Sequence, residues 1–266
     1  MKAQSKDVMQ MIEQGMSHRA IAKKTGLALS MISGIRNAPQ PGDKYRVLVI
    51  GDLHEPSCRK GYLEFCQSVY KKYRCNRVVF IGDVVDWHSI SFFSAHPDMP
   101  GPADEYTHAL QRIQRWYRAF PVADVIIGNH DARIIRLAET AHIPSKFLRN
   151  YADIWKTPKW KWTDHTTIDD VYYMHGISYG GLHPAFNAAR HLGMSCVMGH
   201  IHSVAGVKWC VSPVKRWFGL DVGCGIDDDS MAFAYSKHMK RRSVISCGVV
   251  VEGQAHVELM PLEKYK

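Results

Sequence analysis

Short apolar runs alternate with longer amphipathic stretches between residues 45 and 140. The runs RVLVI (46–50), RVVFI (77–81) and ADVII (123–127) predict strands. The stretches between and after them predict helices near 60–72, near 104–119 and from about 131. This βαβαβ order predicts parallel strands with helices packed on their faces.

The pattern becomes rich in strands after about residue 160. Strands are predicted at VYYM (171–174) and SCVM (195–198), with later runs near 204–211, 217–222, 244–251 and 255–260. These runs indicate a mixed sheet or a second sheet in this half of the chain.

The first 44 residues differ in pattern and in charge. The segment NAPQPGDK (37–44) contains two prolines and a glycine and predicts a linker. We therefore expect a small module at 1–40, a linker at 41–44 and a large domain at 45–266. Residues 1–44 carry seven basic and three acidic residues, and the whole chain has a net charge of +9. This surplus favours polyanionic partners.

The small module resembles a helix-turn-helix. Ile21, Leu27, Ile32 and Ile35 recur at helical spacing, and Gly26 lies at the expected turn. The three helices are predicted at about 6–15, from Ser17 and at about 30–37, with Ser17 and Ser30 as the N-caps of the second and third helices.

The helix-turn-helix resemblance implies DNA binding, with the third helix in the major groove. The candidate DNA contacts are Arg19, Lys23, Lys24, Met31, Ser33 and Arg36. Apart from Arg36, the third helix offers short side chains, so we expect weak or shape-based sequence preference. A three-helix appendage for packing or homo-oligomerisation would use the same apolar pattern.

Composition predicts a globular protein with a sizeable core, because 46% of the 266 residues are hydrophobic. The longest apolar runs fall far short of the ~20 residues of a membrane span. The first residues lack the apolar stretch of a secretory signal, so we expect a cytoplasmic protein without a membrane partner. Seven scattered cysteines without a C-x-x-C pair indicate reduced thiols rather than a disulfide framework or a zinc knuckle.

The candidate functional residues lie at the ends of strands. Five predicted strands are each followed by aspartate, asparagine or histidine. The five clusters are Gly51-Asp52-Leu53-His54, Gly82-Asp83-Val84-Val85-Asp86, Gly128-Asn129-His130-Asp131, His175-Gly176 and Gly199-His200-Ile201-His202. Any one cluster alone is typical of a helix cap or an ordinary histidine. Since the carboxyl ends of parallel strands meet at one edge, the series predicts a shared site. Oxygen and imidazole ligands without thiolate favour two divalent ions over a structural zinc.

In their order along the chain, D-x-H, G-D-x-x-D, G-N-H-D, a single H and G-H-x-H resemble the motifs of the calcineurin-like metallophosphoesterases. The resemblance covers about residues 45–260. It implies an α/β fold, a four-layer αββα sandwich of two mixed sheets with helices outside, preceded here by the small all-α module. It also implies two divalent metal ions, with Mn²⁺ expected and Fe, Zn or Ni as alternatives.

The resemblance assigns a role to each matching residue. Asp52, His54 and His202 would hold one metal ion, Asn129, His175 and His200 the other, and Asp83 would bridge both. His130 would be the catalytic residue at the leaving group or phosphate, and Asp86 would orient it. Asp131 is expected to cap the next helix, with an orienting role as the alternative.

Two cations about 4 Å apart clamp phosphate oxygens and lower the pKa of a bridging water, and the resulting hydroxide attacks phosphorus. The leaving oxygen then needs a proton, which an oriented histidine supplies. The expected enzyme is therefore a metal-dependent phosphoric ester hydrolase.

The choice of ester rests on the residues after Asp86. Trp87 and His88 stand where protein Ser/Thr phosphatases of this superfamily have arginine and glycine. This favours a phosphodiesterase or nuclease acting on nucleic acid, in a DNA-processing role of a phage or prophage. The alternatives are a phosphomonoesterase acting on nucleotides or phosphoproteins, and a DNA-binding regulator with a sensory phosphoesterase domain.

Several other residues are candidates for substrate contact. Trp87, His88, Phe92 and Phe93 could form a wall on which a base stacks, with core packing as the alternative for the aromatic side chains. His183 is a further candidate, with a solvated loop position as its alternative. The run GCGIDDDS (223–230) lacks the spacing of a calcium loop and predicts a turn near the site.

Overall fold

The computed structural model of the chain describes residues 7–8, 10–12, 14–37, 44–91, 98–230 and 242–263. It divides into two compact units, Met1–Lys44 and Tyr45–Lys266. Within the described residues, no helix is both long enough and apolar enough to cross a bilayer.

The small unit is helical. Helical backbone occurs at residues 7–8 and 10–12, followed by α1 (His18–Thr25) and α2 (Leu29–Asn37). The side chain of Ser17 accepts a hydrogen bond from the Ala20 amide and caps α1, as predicted. The buried side chains of the small unit are Val8, Ile21 and Ile32. Those packed against them are Met11, Ile12, Met16, Ala22 and Leu27.

The predicted N-cap at Ser30 is wrong. The third predicted helix corresponds to α2, which begins at Leu29, so Ser30 lies inside its first turn. The carbonyl of Ala28 accepts hydrogen bonds from the amides of Met31 and Ile32, at 2.9 and 3.2 Å, and this closes the first turn. The helix therefore begins two residues earlier than a cap at Ser30 requires, because that cap would make Met31 the first helical residue.

The large unit contains eleven strands among its described residues. They are β1 (Arg46–Ile50), β2 (Arg77–Phe80), β3 (Ala123–Ile126), β4 (Trp160–Thr163), β5 (His165–Ile168), β6 (Val171–Met174), β7 (Ser195–Met198), β8 (Ala205–Val211), β9 (Arg216–Val222), β10 (Ser246–Val251) and β11 (Gln254–Leu259). The helices are α3 (Tyr62–Lys72), α4 (Pro102–Ala119), α5 (Arg133–Thr140), α6 (Tyr151–Ile154) and α7 (Pro184–Leu192).

The strands form two mixed sheets. The first has the order β11-β10-β1-β2-β3-β4, in which β1 to β4 are parallel and β10 and β11 are antiparallel to their neighbours. The second has the order β5-β6-β7-β9-β8, in which β6, β7 and β9 are parallel.

Hydrophobic packing joins these elements into four layers. On the outer face of the first sheet, Phe80 packs with Tyr62 of α3 and Trp116 of α4. Its inner face packs on the second sheet, where Val49 and Tyr173 belong to one buried cluster. The small side chains of α7, Ala185, Ala188 and Ala189, cover the outer face of the second sheet. The predicted αββα sandwich is confirmed.

The sandwich brings the motif loops to one region. The strands β1, β2 and β3 are parallel, and β6 and β7 are parallel in the facing sheet. The loops that follow these five strands carry the five polar clusters of the sequence. Sheet topology alone thus places the candidate ligands at the carboxyl ends of neighbouring strands.

Candidate metal centre

Two glycines let the ligand loops approach one another. A Cβ at Gly82, whose φ is 111°, would overlap Nδ1 of His175. A Cβ at Gly128 would overlap the carboxylate of Asp83. These positions therefore require glycine so that side chains from three loops can converge.

Three candidate ligands have left-handed backbone conformations. The φ angles of His54, Asp83 and His200 are 49°, 48° and 68°. A residue other than glycine in this conformation costs about 1–3 kcal/mol, and such positions concentrate at functional sites. The surrounding fold maintains this strain where the three side chains converge.

The first cluster consists of Asp52, His54 and His202, whose ligand atoms all lie within 4.8 Å of one another. Nε2 of His202 lies 3.1 Å from Oδ2 of Asp52 and 3.2 Å from Nε2 of His54. Oδ1 of Asp52 is buried and has no hydrogen-bond partner within the described part of the chain. A buried, unpaired carboxylate oxygen beside two imidazoles fits a divalent cation.

The second cluster consists of Asp83, His175 and His200. Nε2 of His175 lies 3.2 Å from Oδ2 of Asp83 and 3.0 Å from Oδ1 of Asn129. Nδ1 of His175 donates to the carbonyl of Ile81 at 3.0 Å. This bond fixes the tautomer that leaves the lone pair on Nε2 for a metal ion.

Asp83 lies between the two clusters. Its Oδ2 is 3.6 Å from Nε2 of His54 and 3.2 Å from Nε2 of His175. Its Oδ1 accepts a hydrogen bond of 2.7 Å from the amide of His130. One carboxylate thus reaches both clusters, which is the position that a bridging ligand needs.

The buried charges at the centre attract positive charge. Burial raises the pKa of Asp83, but His175 and His130 outweigh it and hold that pKa well below its ordinary value. Burial likewise lowers the pKa of His175, but Asp83 and Asp52 outweigh it and raise that pKa to about 10. The same field would stabilise a cation at Nε2 of His175.

Asp86 contacts two histidines. Its Oδ1 lies 3.0 Å from Nδ1 of His130 and 2.9 Å from Nδ1 of His54. Burial acts to raise the pKa of Asp86, but the hydrogen bonds to the two histidines outweigh burial and hold that pKa below its ordinary value. The carboxylate is thus placed to orient His130, as expected, and also orients the candidate ligand His54.

Arg133 also belongs to the site, although it is not among the residues predicted from the sequence. Its Nη1 donates to the carbonyls of Asp86 and Trp87, at 2.8 and 2.9 Å, and its Nη2 lies 3.2 Å from Nε2 of His130. Burial lowers the pKa of the Arg133 guanidinium below its ordinary value, and the opposing charge of Asp86 offsets only part of this effect. Arg133 is the first residue of α5, and its amide donates to the carbonyl of His130 at 3.1 Å; a basic residue this soon after the G-N-H-D motif is the sequence signal that could have identified it.

Asp131 does not cap α5, so that prediction is wrong. The helix begins after Ala132 without a side-chain cap. The carboxylate of Asp131 instead accepts hydrogen bonds from the amides of Val85 and Gly128, at 3.1 and 2.9 Å. Burial, followed by the charge of Asp83, raises the pKa of Asp131 to about 7. Its role is to join the loops that follow β2 and β3.

Trp87 lies in the core, which corrects its prediction as a stacking surface. Its side chain is 5% exposed. The rings of Tyr106 and Trp155 pack against it, with centroids 6.5 and 5.5 Å away. The core-packing alternative is therefore confirmed for this residue, while Phe92 and Phe93 lie outside the described residues.

The other two substrate candidates are half-buried. His88 begins a 3₁₀ turn, and its amide donates to the buried carboxylate of Glu105 at 2.7 Å. Glu105, which is not among the residues predicted from the sequence, also accepts a hydrogen bond from the amide of Ser89 at 2.9 Å. Nε2 of His183 lies 2.6 Å from Nζ of Lys208.

The segment 223–230 runs beside the first cluster. The amide of Gly225 donates a hydrogen bond of 2.8 Å to the carbonyl of Asp52. The backbones of Cys224 and Asp52 form an isolated parallel β-bridge. Residues 228–230 follow in a turn. This agrees with the expected turn near the site.

The DNA-binding candidates lie in the small unit. Arg19, Lys23 and Lys24 are exposed on α1, and Met31 is 53% exposed on α2. Ser33 is half-buried, with its Oγ 3.5 Å from Nδ1 of His18. The side chain of Arg36 lies outside the described part of the chain. DNA contact by these residues stays a prediction.

Comparison with solved structures finds matches at low sequence identity. They include vacuolar protein sorting 29 from Cryptosporidium parvum (14% identity, 82% of this chain and 97% of that chain, TM-score 0.40). They also include the phosphoesterase Yfce from E. coli (13%, 78% and 88%, TM-score 0.38). A third is the nuclease MPE from Pseudomonas putida (11%, 80% and 87%, TM-score 0.32). A search of curated proteins gives no match.

The family comparison is more specific. The model described as calcineurin-like phosphoesterase matches residues 45–208, which include every residue of the two clusters and Arg133. This match covers more than half of the chain. The protein belongs to the calcineurin-like phosphoesterase family.

Proposed function

We propose that the large unit hydrolyses phosphodiester bonds in nucleic acid with the help of two divalent cations. The observation that carries the proposal is the position of Asp83, whose Oδ2 lies 3.6 Å from Nε2 of His54 and 3.2 Å from Nε2 of His175. A carboxylate shared between two imidazole clusters suits a paired-cation site. The family of the chain supports phosphoric ester hydrolysis.

Each cluster would hold one cation. Asp52, His54 and His202 would bind one, and Asn129, His175 and His200 the other, with Asp83 shared. When bound, the ions neutralise phosphate charge and lower the pKa of a water nucleophile. Carboxylate, amide and imidazole ligands favour Mn²⁺, with Fe, Zn or Ni as alternatives.

His130 would transfer the proton at the leaving oxygen. Its Nδ1 lies against the carboxylate and the carbonyl of Asp86, at 3.0 and 2.8 Å, so this nitrogen carries a hydrogen. Nε2 is then the atom that exchanges a proton. Burial lowers the pKa of His130, but Asp83 and Asp86 outweigh it and raise it, which favours the protonated form needed by a general acid.

Charge supports nucleic acid as the substrate. The net charge is +9, and exposed Arg19, Lys23 and Lys24 lie in the small unit. We propose that this unit brings the enzyme to DNA. Reversing all three charges in the full chain should weaken DNA binding and reduce its salt slope by about 2–3. Unchanged DNA affinity would dismiss this role, and an unchanged rate on a small diester is the internal control.

One observation favours a second candidate function. The sequence lacks an arginine directly after Asp86, but Arg133 places its guanidinium on the carbonyls of Asp86 and Trp87. A guanidinium binds a phosphomonoester dianion well. A phosphomonoesterase acting on nucleotides or phosphoproteins is therefore the alternative.

The test compares two chromogenic esters with the Mn²⁺-loaded protein. The proposal expects a higher kcat/KM for bis-p-nitrophenyl phosphate than for p-nitrophenyl phosphate, and cleavage of labelled DNA or RNA. A clear preference for the monoester would replace it with the alternative. The Asp83→Asn variant controls for contaminating hydrolases, and a wild-type protein that hydrolyses neither ester with any metal would favour a DNA-binding regulator.

A further inference from the structure

A cavity of about 470 Å³ adjoins the first metal cluster. Ser203, the residue after His202, lines the cavity. Val244 also lines it, and the amide of Val244 donates a hydrogen bond of 2.8 Å to the carbonyl of His202. The remaining lining comes from the turn before α7 and from the strands β8 and β9. The cavity is therefore continuous with a loop that carries a candidate metal ligand.

One end of the cavity is cationic. Nζ of Lys208, on the edge strand β8, lies 2.6 Å from Nε2 of His183. A lysine ammonium only donates, so Nε2 of His183 accepts and its Nδ1 carries the hydrogen. The pair thus offers ammonium and imidazole N–H donors, which suit a phosphate oxygen.

Another part of the lining is a buried carboxyl group. Asp221 is 6% exposed, and its Oδ1 accepts a hydrogen bond of 3.0 Å from the amide of Ala185. Burial raises the pKa of Asp221 to about 7. A carboxyl at this place accepts hydrogen bonds from amino or hydroxyl groups and disfavours a second anion beside it.

The surface between these groups is apolar. Leu182, Val204 and Val207 line the cavity together with the polar residues, and Leu182 is 63% exposed. A ligand that uses the whole surface needs an anion at one end, an apolar middle and a hydrogen-bond donor. A nucleotide has these three features, whereas inorganic phosphate would use only Lys208 and His183.

We propose that this cavity binds one nucleotide of the nucleic-acid strand, next to the scissile phosphate. Its phosphate contacts Lys208 and His183, and an amino or hydroxyl group of its base or sugar donates to Asp221. The volume lies within the ~300–1,000 Å³ typical of small-ligand sites. The inference rests on the proposed function, because it names part of the substrate of the same site.

The first test is Lys208→Glu in the full-length, Mn²⁺-loaded protein. We expect the KM for an oligonucleotide to rise about tenfold or more, since a charge-assisted contact is lost. The kcat/KM for bis-p-nitrophenyl phosphate should stay within about twofold, because that ester contains no nucleotide that could occupy the cavity. An equal loss on both substrates would overturn the proposal.

The matched control is Lys161→Glu. Lys161 is also exposed and lies near the amino end of β4, in the other sheet. Its backbone is in register with that of Asp124 in the neighbouring strand β3. The same change of charge there should leave the KM for the oligonucleotide unchanged. A rise equal to that of Lys208→Glu would indicate a general effect of net charge and would also overturn the proposal.

The second test measures binding without turnover. A fluorescein-labelled trinucleotide with phosphorothioate linkages is titrated with the protein, and its anisotropy gives the Kd. Lys208→Glu should weaken binding about tenfold or more. Asp221→Asn keeps an oxygen for the Ala185 amide but introduces an amide donor, so it should also weaken binding. An unchanged Kd for Lys208→Glu contradicts the proposal, whether or not Asp221→Asn folds and binds.

The two readouts separate the subsite from the reaction. If the wild type hydrolyses no diester but Lys208→Glu still weakens trinucleotide binding, the proposed function fails and the nucleotide site stands. If the wild type hydrolyses both diesters and Lys208→Glu changes neither KM nor Kd, the nucleotide site fails and the proposed function stands.

Discussion

The guanidinium of Arg133 lies 3.2 Å from Nε2 of His130. When His130 is neutral, its Nε2 accepts a hydrogen bond from this guanidinium, because arginine only donates, and its hydrogen sits on Nδ1, facing Asp86. The guanidinium is fixed by two carbonyls, so it is held in place before any substrate arrives. A phosphate oxygen entering the site would meet a preorganised donor.

Arg133→Gln should therefore reduce kcat/KM by about 10- to 100-fold, the cost of one charge-assisted hydrogen bond. The loss should be larger for p-nitrophenyl phosphate, a dianion, than for bis-p-nitrophenyl phosphate. The exposed Arg118→Gln on α4 is the matched control and should change neither rate. Equal rates for Arg133→Gln and wild type would remove this residue from the site.

Metal content should separate Asp83 from His130. Asp83→Asn should reduce the affinity for both ions together, because Oδ2 reaches both clusters. His130→Gln should retain two ions and lose about 10²–10⁴-fold in kcat, the usual contribution of a general acid. Elemental analysis after dialysis checks both. A His130 variant that loses its metal, beside an Asp83 variant that keeps it, would reverse these assignments.

Asp86→Asn should differ from His130→Gln, because the Asp86 carboxylate also orients His54. Loss of a carboxylate behind a ligand histidine typically costs about 10–100-fold in metal affinity. We expect Asp86→Asn to weaken one ion more than the other and to slow turnover as well. Titration with Mn²⁺, followed by calorimetry, measures the two affinities. Two unchanged affinities would limit Asp86 to orienting His130.

Stability should depend on pH through Asp221, whose pKa burial raises to about 7. The folded protein retains a proton that the unfolded chain releases from about pH 4. This contribution to stability is therefore complete below about pH 4 and is lost as the pH rises to about 7, on the order of 4 kcal/mol at most. Asp221→Asn should be more stable than wild type at pH 8, and the difference should shrink towards pH 5.

Urea unfolding at pH 5 and pH 8 measures that difference. Asp229→Asn, at an exposed position, is the matched control and should show no change in its difference from wild type. A constant difference for Asp221→Asn at both values of pH would mean that Asp221 is already ionised in the folded protein.

The position of the candidate ligands in the fold could be predicted because each motif directly follows a strand. Asp52 and His54 follow β1, and His200 and His202 follow β7, so local sequence was sufficient to place them. The contact between Asp83 and His175 depends on packing of one sheet on the other, and the family resemblance supplied it. Arg133 and Glu105 were missed because their roles depend on where helices direct their side chains.

Some elements also escaped prediction for physical reasons. The sequences of β4 and β5, WKWT and HTTI, mix polar and apolar residues because both strands lie at sheet edges. The buried face of α7 consists mainly of alanines, which form a weak apolar stripe. The capping prediction for Asp131 failed because a buried carboxylate here gains two backbone donors from neighbouring loops.

Those two hydrogen bonds make Asp131 a common anchor for loops that supply ligands to both clusters. The loop after β2 carries Asp83, and the loop after β3 carries Asn129. If the anchor loosened, both loops would shift, although Asp131 itself belongs to neither cluster. We therefore expect the affinities of the two proposed cation sites to depend on each other through this shared anchor.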